Sequence, residues 1–304
     1  MHIIRYAGAD GAQIAVRDSE GIRPLPVPAI ADLLALPLGR LREVIERAAA
    51  APPHPAAGRP LPPVDGLTEV WASGVTYERS SAARQEESQV ADVYARVYAA
   101  QRPELFFKSP AWRVCGPGEP IGIRADSAVS VPEPELAVVC NADAEIVGVT
   151  ICNDVSSRSI EGENPLYLPQ AKVYSGACAL GPAIVPAWEL PDLRALAITA
   201  AVHRGGAVAW HGQTSTARLH RDLPDLVAYL YRHAGFPHGA VLSTGTGLVP
   251  ELDFTLEQGD EVRIDIDGIG TLVNTVRPAT AQWFGWLTPA PDRGPAPATA
   301  GERA

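Results

Sequence analysis

Two glutamates one residue apart, followed by an aspartate after the next apolar run, limit most strictly how this chain can fold. Glu133 and Glu135 stand at the start of the apolar run 136–140, and Asp154 follows the apolar run 146–152. Side chains at i and i+2 of a strand point to the same face, so Glu133 and Glu135 are predicted to aim at one place. A hairpin between the two runs would return Asp154 beside them.

Three like charges in one place predict a metal site. Carboxylates that meet repel one another unless a cation holds them. All-oxygen ligation suits a hard divalent ion, so we predict Mg²⁺, with Mn²⁺ or Ca²⁺ as substitutes. The spacing alone is equally compatible with three solvated acids at strand ends.

Composition argues against several classes of partner. The chain has 304 residues and a formal net charge of −10, which disfavours nucleic acid and anionic membrane surfaces. There is no apolar stretch long enough to span a bilayer and no basic-then-apolar leader. The four cysteines lack CxxC spacing, which indicates free buried thiols in a reducing compartment. The cytoplasm is therefore the expected location.

The chain is predicted to divide into three parts. Short strands alternate with Gly and Pro turns, and helices are predicted over 30–50, 80–100 and 223–233. A strand pattern also covers 253–256. This mixture predicts an α+β or mostly β fold and argues against a doubly wound sheet. The first part, 1–64, is a small N-terminal domain with a Pro-rich linker. The second, 65–288, is the main domain, and the third, 289–304, is a disordered tail.

Two basic residues stand near the acidic motifs. Lys172 lies in an aromatic and apolar setting, where a lysine can act as a base or an electrophile. A lysine whose stem packs while its head reaches water is the more common outcome of such a setting. Arg158 follows Asp154 by four residues, and its guanidinium could grip a substrate carboxylate or form an ion pair with Asp154.

Other local patterns carry less weight. The run 242–247 offers hydroxyls and backbone N–H groups for an oxyanion, but it lacks phosphate-loop spacing, and a plain turn is the simpler interpretation. None of the seven histidines has a zinc-site spacing, and there is no GxSxG motif. Zinc chemistry and serine hydrolysis are therefore disfavoured.

Taken together, four separated motifs resemble the fumarylacetoacetate hydrolase superfamily in order and spacing over about residues 65–287. This resemblance implies a β-roll, or mixed β-sandwich, with a small N-terminal domain, assembled as a homodimer or homotetramer. The motifs are 133–139, 148–158, Lys172 with Gly181 and Pro182 downstream, and 243–246.

The resemblance also implies roles for individual residues. Lys172 would be the active-site lysine. The Mg²⁺ ligands would be Glu133, Glu135 and Asp154, and the substrate contacts would be Arg158, Thr246, Lys108 and Tyr77. The hydrolases of this superfamily carry a histidine a few residues after the tyrosine of the opening motif. Here Glu78, Arg79 and Ser80 follow Tyr77, and no histidine occurs in the main domain before His203. This departure disfavours C–C bond hydrolysis and favours dehydration.

Within the superfamily, the segments 102–108, 132–139 and 161–174 look like the branch of 2-dehydro-3-deoxy-D-arabinonate dehydratases. That branch implies an enzyme of pentose and sugar acid catabolism. Its reaction removes water from a 2-oxo-3-deoxy pentonate, a small 2-oxo acid, to give 2,5-dioxopentanoate.

The chemistry is consistent with that function. A 2-oxo acid chelates a metal that has open positions, and the ion stabilises the enolate formed when a C3 proton leaves. Lys172 is the first candidate for the base, and Glu161 or Glu163 would protonate the leaving hydroxide. An acylpyruvate-type hydrolase or a 2-oxo acid decarboxylase would use the same enolate. A Schiff base on Lys172 and a non-catalytic carboxylate-binding protein remain further alternatives.

Overall fold

The computed structural model of the chain describes residues 1–9, 11–55, 58–87, 91–281 and 283–284. The predicted tail, 289–304, lies outside these residues. The helices are α1 Ile30–Leu34, α2 Leu38–Ala49, α3 Glu78–Glu87, α4 Ala91–Ala99, α5 Arg158–Glu163, α6 Leu168–Lys172 and α7 Leu223–Tyr231. Among the described residues, no helix is both long and apolar enough to cross a membrane.

Most of the regular structure is β-strand. The strands are β1 His2–Gly8, β2 Gly11–Asp18, β3 Gly21–Pro24, β4 Arg59–Leu61, β5 Glu69–Gly74, β6 Glu104–Pro110, β7 Ile121–Ile123, β8 Ser130–Val131, β9 Pro134–Cys140, β10 Ile146–Asp154, β11 Ser156–Ser157, β12 Cys178–Pro186, β13 Ala197–Arg204, β14 Ala207–Ser215, β15 Ala240–Ser243, β16 Glu261–Ile266 and β17 Gly270–Pro278.

The strands form two large sheets and one short pair. The larger sheet has the order β3-β2-β1-β12-β10-β9-β15-β5-β6, with β4 paired to β1. The second sheet has the order β14-β13-β16-β17-β7, and β11 pairs with β8. Within the larger sheet only β15 and β5 run parallel among the described pairs. The predicted mixed and mostly β architecture is confirmed.

Strand β9 is buried on both faces because it separates two apolar cores. Leu136 and Val138 belong to the core between the two large sheets, where residues such as Ile198 pack against them. The alternate residues Ala137 and Val139 belong to the core beneath α1 and α2. Side chains alternate between the faces of a strand, so a continuous apolar run is what a strand covered on both sides requires.

One predicted helix is interrupted, a second is described in two parts, and one predicted strand is wrong. The helix predicted over 30–50 is divided into α1 and α2 at Pro37, which disfavours helical backbone before it and lacks an N–H. The helix predicted over 80–100 begins at Glu78 and is described as α3 and α4, with 88–90 outside the described residues. Residues 253–256 form no strand, since a turn closed by Phe254 N–H on the carbonyl of Glu251 takes up this segment.

The strand order brings the chemically important residues to one end of the larger sheet. β9 and β10 are antiparallel, so the start of β9 meets the end of β10. β15 is antiparallel to β9, so the loop that leaves Ser243 passes the start of β9. The α5–α6 segment follows β11 and lies over the same end, because its last residue, Lys172, contacts Asp154.

Candidate active site

The three acids predicted from the strand pattern lie together. Glu135 stands opposite Cys152 in the β9–β10 ladder, and the N–H of Asp154 donates to the carbonyl of Glu133 at 3.0 Å. One carboxylate oxygen from each of Glu133, Glu135 and Asp154 lies within 4.8 Å of the others. All three side chains are buried, none more than 4% exposed. Their burial excludes the alternative of three solvated strand-end acids.

Glu135 is held by the loop after β15. The hydroxyl of Ser243 donates to Glu135 Oε2 at 2.5 Å, and the backbone N–H of Gly245 donates to the same oxygen at 2.8 Å. Burial raises the pKa of Glu135 well above its usual range, and the negative charge of Asp154 adds to this effect. A carboxyl group in this setting needs either a proton or a nearby cation.

The residues at this site fit a hard divalent cation. Among the described residues, the lining of the cavity contains one ammonium group, that of Lys172, and five carboxyl side chains: Glu104, Glu133, Glu135, Asp154 and Glu161. The buried trio offers oxygen ligands only, the donor set that Mg²⁺ prefers. The excess of negative charge and the raised pKa of Glu135 both indicate that a cation is needed. Glu133, Glu135 and Asp154 are therefore the residues that would hold it.

Lys172 lies directly on the acidic trio. Its Nζ is 2.8 Å from Glu133 Oε2, 3.2 Å from Asp154 Oδ2 and 2.5 Å from the hydroxyl of Ser156. The ring of Phe106 lies 5.7 Å from the same nitrogen. Lys172 is only 2% exposed. Its ammonium group is therefore buried, unlike that of a lysine whose stem packs while its ammonium group reaches water.

Only one of the two predicted acids reaches the site. Glu161 is buried, lines the cavity and has its Oε2 4.0 Å from Lys172 Nζ. Glu163 is exposed and does not line the cavity. Residues two apart on a helix point about 200° apart, so α5 can turn only one of them inward. The structure does not bring Glu163 to the predicted place.

Of the four residues predicted to contact substrate, Thr246 alone lines the cavity. Its hydroxyl donates to the carbonyl of Pro134 at 2.9 Å and accepts the N–H of Leu248 at 3.0 Å. Arg158 is buried, but its Nη1 donates to the carbonyl of Pro250 at 2.8 Å, outside the cavity lining. A contact between the Arg158 guanidinium and a substrate stays a prediction.

Lys108 and Tyr77 also lie outside the cavity lining. Lys108 forms an ion pair with Asp154 and is fully buried beneath it. Tyr77 is 1% exposed and lines a separate groove beside Gly247. Burial raises the pKa of the Tyr77 hydroxyl, so this group is poorly suited to exchange a proton. Chain order alone could not have told these buried supports from substrate contacts.

Several cavity residues were not predicted. Glu104, Phe106 and Tyr94 line it, together with Ser80 and Val249. A signal for Glu104 was present, because residues four apart in a strand share a face and Lys108 lies in the same strand. Tyr94 and Val249 come from α4 and a loop far away in sequence, so local spacing could not have placed them.

One residue makes space for the Glu104 side chain. A Cβ atom added to Gly74 would lie 2.2 Å from Glu104 Oε2, so a larger residue at position 74 would displace this carboxyl group. β5 and β6 pair Gly74 with Glu104 directly. Glu104 therefore adds a further carboxyl side chain to the lining of the cavity.

Comparisons with known proteins agree with this geometry. The family model described as "Fumarylacetoacetate (FAA) hydrolase C-terminal" matches residues 69–277. The "Probable 2-keto-3-deoxyxylonate dehydratase" of Haloferax volcanii is 51% identical over 214 residues, which cover 70% of this chain and 73% of that protein. The 2-dehydro-3-deoxy-D-arabinonate dehydratase of Saccharolobus solfataricus is 44% identical over 214 residues, or 69% of this chain and 72% of that protein.

Solved structures give the same result over more of the chain. A structure of 2-keto-3-deoxy-D-arabinonate dehydratase complexed with magnesium and 2,5-dioxopentanoate has a TM-score of 0.76 and 33% identity. The match covers 91% of this chain and 99% of that one. The resemblance inferred from the four motifs is confirmed, and this chain belongs to the fumarylacetoacetate hydrolase family.

Proposed function

We propose that this chain is a magnesium-dependent dehydratase that converts 2-dehydro-3-deoxy-D-arabinonate, a 2-oxo-3-deoxy sugar acid, to 2,5-dioxopentanoate. The proposal rests chiefly on the buried trio of Glu133, Glu135 and Asp154 with the ammonium of Lys172 upon it. It is supported by two relatives that are named as dehydratases of such acids. Mn²⁺ or Ca²⁺ would substitute for Mg²⁺ in the same oxygen site.

The residues of the trio would hold the ion and, through it, the 2-oxo acid. When bound, Mg²⁺ supplies a Lewis acid that polarises the 2-oxo group and makes the adjacent C3 proton easier to remove. The backbone N–H of Gly245 and the hydroxyl of Ser243 keep Glu135 turned toward this place. Thr246 lines the cavity beside them and remains our candidate for a substrate contact.

Lys172 and Glu161 divide the proton transfers. Lys172, as the free amine, accepts the C3 proton, and the carboxylic acid of Glu161 donates a proton to the C4 hydroxyl, which leaves as water. Because Lys172 Nζ and Glu161 Oε2 are 4.0 Å apart, they can serve neighbouring carbons of one substrate. Returning the proton from Lys172 to Glu161 restores both groups. The unsaturated product then tautomerises to the terminal aldehyde.

The proposal extends to the assembly and the location of the protein. We propose a homodimer or homotetramer, for which the exposed apolar side chains of Leu166 and Tyr167 next to α6 offer a contact surface. The four buried free cysteines support a reducing compartment, the cytoplasm. We also propose that the chain divides into an N-terminal part, 1–64, and a catalytic part, 65–288.

Turnover of a substrate panel tests the function. Purified protein is incubated with 2-oxo-3-deoxy pentonates and hexonates, with Mg²⁺ or with EDTA, and the products are analysed by mass and by aldehyde detection. A Mg²⁺-dependent aldehyde with the loss of one water supports dehydration. Two acids would indicate a hydrolase, carbon dioxide a decarboxylase, and a borohydride-trapped adduct on Lys172 a Schiff-base enzyme. Each of the last three results would overturn the proposal.

A further inference from the structure

The chain contains only two lysines, and both lie at the acidic site. Its other basic side chains are arginines: of 25 Lys and Arg residues, Lys108 and Lys172 are the only lysines. Their side chains are 0% and 3% exposed. Lysine therefore occurs in this chain at two buried positions only, and both are beside the same cluster of carboxylates.

The ammonium of Lys108 contacts three oxygen atoms of the protein. It forms an ion pair with Asp154 Oδ1 and donates to the backbone carbonyls of Lys172 at 2.6 Å and Val155 at 3.2 Å. Main-chain oxygens therefore take up two of its three N–H donors, and its charge is paired with that of Asp154. Lys108 also lies outside the cavity lining. It contacts Asp154, which we propose as a metal ligand, and the main chain of Lys172, which we propose as the base.

These contacts join the two halves of the reaction site. Asp154 ends β10, whereas Lys172 ends α6, and the two elements are separated along the chain by β11 and α5. Lys108, on β6, bonds to the carboxylate of Asp154 and to the main chain of Lys172 at once. The two carboxylate oxygens of Asp154 are thereby shared between the two lysines, Oδ1 with Lys108 and Oδ2 with Lys172.

We propose that Lys108 is a positioning residue that sets the distance between the metal ligands and the catalytic lysine. Its effect on turnover rests on the function proposed above, but its effect on metal binding does not. Lysine suits this place because three acceptors surround a single nitrogen. The flat, forked guanidinium of an arginine spreads its donors over three nitrogens and needs more room than a fully buried position offers.

Magnesium titration of two matched variants tests the proposal. Lys108→Met and Lys172→Met each remove one positive charge beside the trio and keep a long apolar stem. Charge alone would make Mg²⁺ bind more tightly to both variants. If Lys108 positions Asp154, Lys108→Met instead binds Mg²⁺ about 10- to 100-fold more weakly, the usual cost of losing a partner that orients a metal ligand. Lys172→Met binds it at least as tightly as the unchanged protein.

Isothermal titration calorimetry of the protein with MgCl₂ alone gives this comparison without any assay of activity. Equal or tighter binding of Mg²⁺ by Lys108→Met would overturn the proposal. Lys108→Arg should not restore the affinity, and full restoration would contradict the need for a single nitrogen. If wild-type protein dehydrates none of the sugar acids while the two methionine variants still diverge, the proposed function fails and the positioning role stands.

Steady-state kinetics at saturating Mg²⁺ separate positioning from substrate contact. With the base displaced, Lys108→Met should lower kcat by about 10-fold or more while KM stays near its wild-type value. A raised KM with an unchanged kcat would indicate that Lys108 binds the substrate, and the proposal would be wrong.

Nuclear magnetic resonance of the unchanged protein covers the case in which Lys108→Met fails to fold. Protein grown with ¹³Cε-labelled lysine should give two side-chain signals, and the spectrum of Lys172→Met identifies which is which. Pyruvate serves as a 2-oxo acid probe that has no C4 hydroxyl to lose. Adding it with Mg²⁺ should shift the Lys172 signal and leave that of Lys108 nearly in place. A larger shift at Lys108 would overturn the proposal.

Discussion

At the scale of single residues, the chemistry depends on which charged side chains are buried together. Lys172 contacts Glu133 and Asp154, while Glu161 lies 4.0 Å from its Nζ. Breaking a buried charged pair by removing one partner leaves an uncompensated charge, which costs far more than the loss of an exposed pair. Substitutions at these positions should therefore have effects well beyond those of matched changes on the surface.

Glu135→Gln should lose magnesium binding and activity together. The amide removes a negative ligand from the trio but keeps the size of the side chain, so the hydrogen bonds from Ser243 and Gly245 still orient it. We expect Mg²⁺ affinity measured by calorimetry to fall by at least about 10-fold, with a matching loss of turnover.

Glu163→Gln is the matched control for that substitution. It makes the same chemical change on the same class of side chain, but at an exposed position outside the cavity lining. Both Mg²⁺ affinity and turnover should stay close to those of the unchanged protein. If Glu163→Gln were as impaired as Glu135→Gln, then α5 would direct Glu163 into the site in place of Glu161.

Lys172→Ala should keep the metal and lose turnover. Loss of a general base or acid typically costs 10²- to 10⁴-fold in rate, so kcat should fall by about that factor. Calorimetry with MgCl₂ should show an affinity no weaker than that of the unchanged protein, because a positive charge beside the trio is gone. Full activity of Lys172→Ala would exclude this residue as the base.

The acidic trio could be predicted from the sequence because its geometry is local. Glu133 and Glu135 share a face through the two-residue period of a strand, and one hairpin returns Asp154. The choice between Glu161 and Glu163 depends on how α5 packs, and the supporting role of Lys108 depends on contacts 46 and 64 positions away in sequence. Spacing carries no information about such distant contacts.

At the scale of elements, the loop after β15 supports the site through its backbone. Gly245 has φ +89°, a conformation that glycine adopts without strain, and its N–H donates to Glu135 Oε2. A Cβ atom at this position would lie 2.0 Å from Thr76 Oγ1. From the sequence, the run 242–247 is either a plain turn or a source of N–H groups for an oxyanion, and in the structure its backbone N–H at Gly245 holds the carboxylate of Glu135.

Gly245→Ala should destabilise the protein more than Gly259→Ala. Gly259 has almost the same backbone angle, φ +91°, but a Cβ atom there meets nothing within 4 Å. Both substitutions carry the cost of a left-handed alanine, and only Gly245→Ala adds a steric clash, worth about 1–3 kcal/mol in unfolding free energy. Urea unfolding of the two variants measures the difference.

The binding of Mg²⁺ gives a second readout for the same pair. Gly245→Ala should also weaken Mg²⁺ binding, because the displaced loop no longer donates to Glu135. Gly259→Ala should leave it unchanged. Equal stability and equal Mg²⁺ affinity in the two variants would show that the loop does not support the site.

The types of most elements could be predicted from the sequence, but their ends and pairings could not. The helix α7 lies within the helix predicted over 223–233, and β16 and β17 show the apolar alternation of strands. The segment 253–256 has a similar alternation but forms no strand. β15 pairs parallel with β5, which precedes it by 171 positions at Glu69 and Ala240, and no local pattern indicates such a neighbour.

At the scale of the whole molecule, one strand connects the site to both cores. β9 carries Glu135, packs Leu136 against the second sheet and packs Val139 beneath the N-terminal helices. β1 extends the same sheet by pairing with β12. The residues of the candidate site therefore stand on a part of the fold to which N-terminal and C-terminal segments both contribute. We expect stability and metal binding to be linked.

Alkaline pH should unfold the protein through its buried thiols. Burial raises the pKa of Cys140 from 9.0 to about 12. The unfolded chain loses this proton first as the pH rises, so the contribution of the thiol to stability is intact below pH 9 and is lost progressively between pH 9 and 12. One such group costs about 1.4 kcal/mol per pH unit within that range.

Cys140→Ala isolates this effect from other alkaline titrations. Urea unfolding between pH 8 and 10.5 should show a decline in unfolding free energy that is shallower in the variant by up to about 1.4 kcal/mol per pH unit. Identical slopes above pH 9 would mean that the Cys140 thiol ionises equally well in the folded protein.

The most direct test of the central claim is the stoichiometry of a single turnover assay with Mg²⁺ and 2-dehydro-3-deoxy-D-arabinonate. We predict one 2,5-dioxopentanoate per substrate consumed, a mass lower by one water, no carbon dioxide and no second acid, with the reaction abolished by EDTA and restored by Mg²⁺. Undiminished turnover in EDTA, or a product that has lost a carbon atom, would contradict the claim that the buried acidic trio binds the ion needed for dehydration.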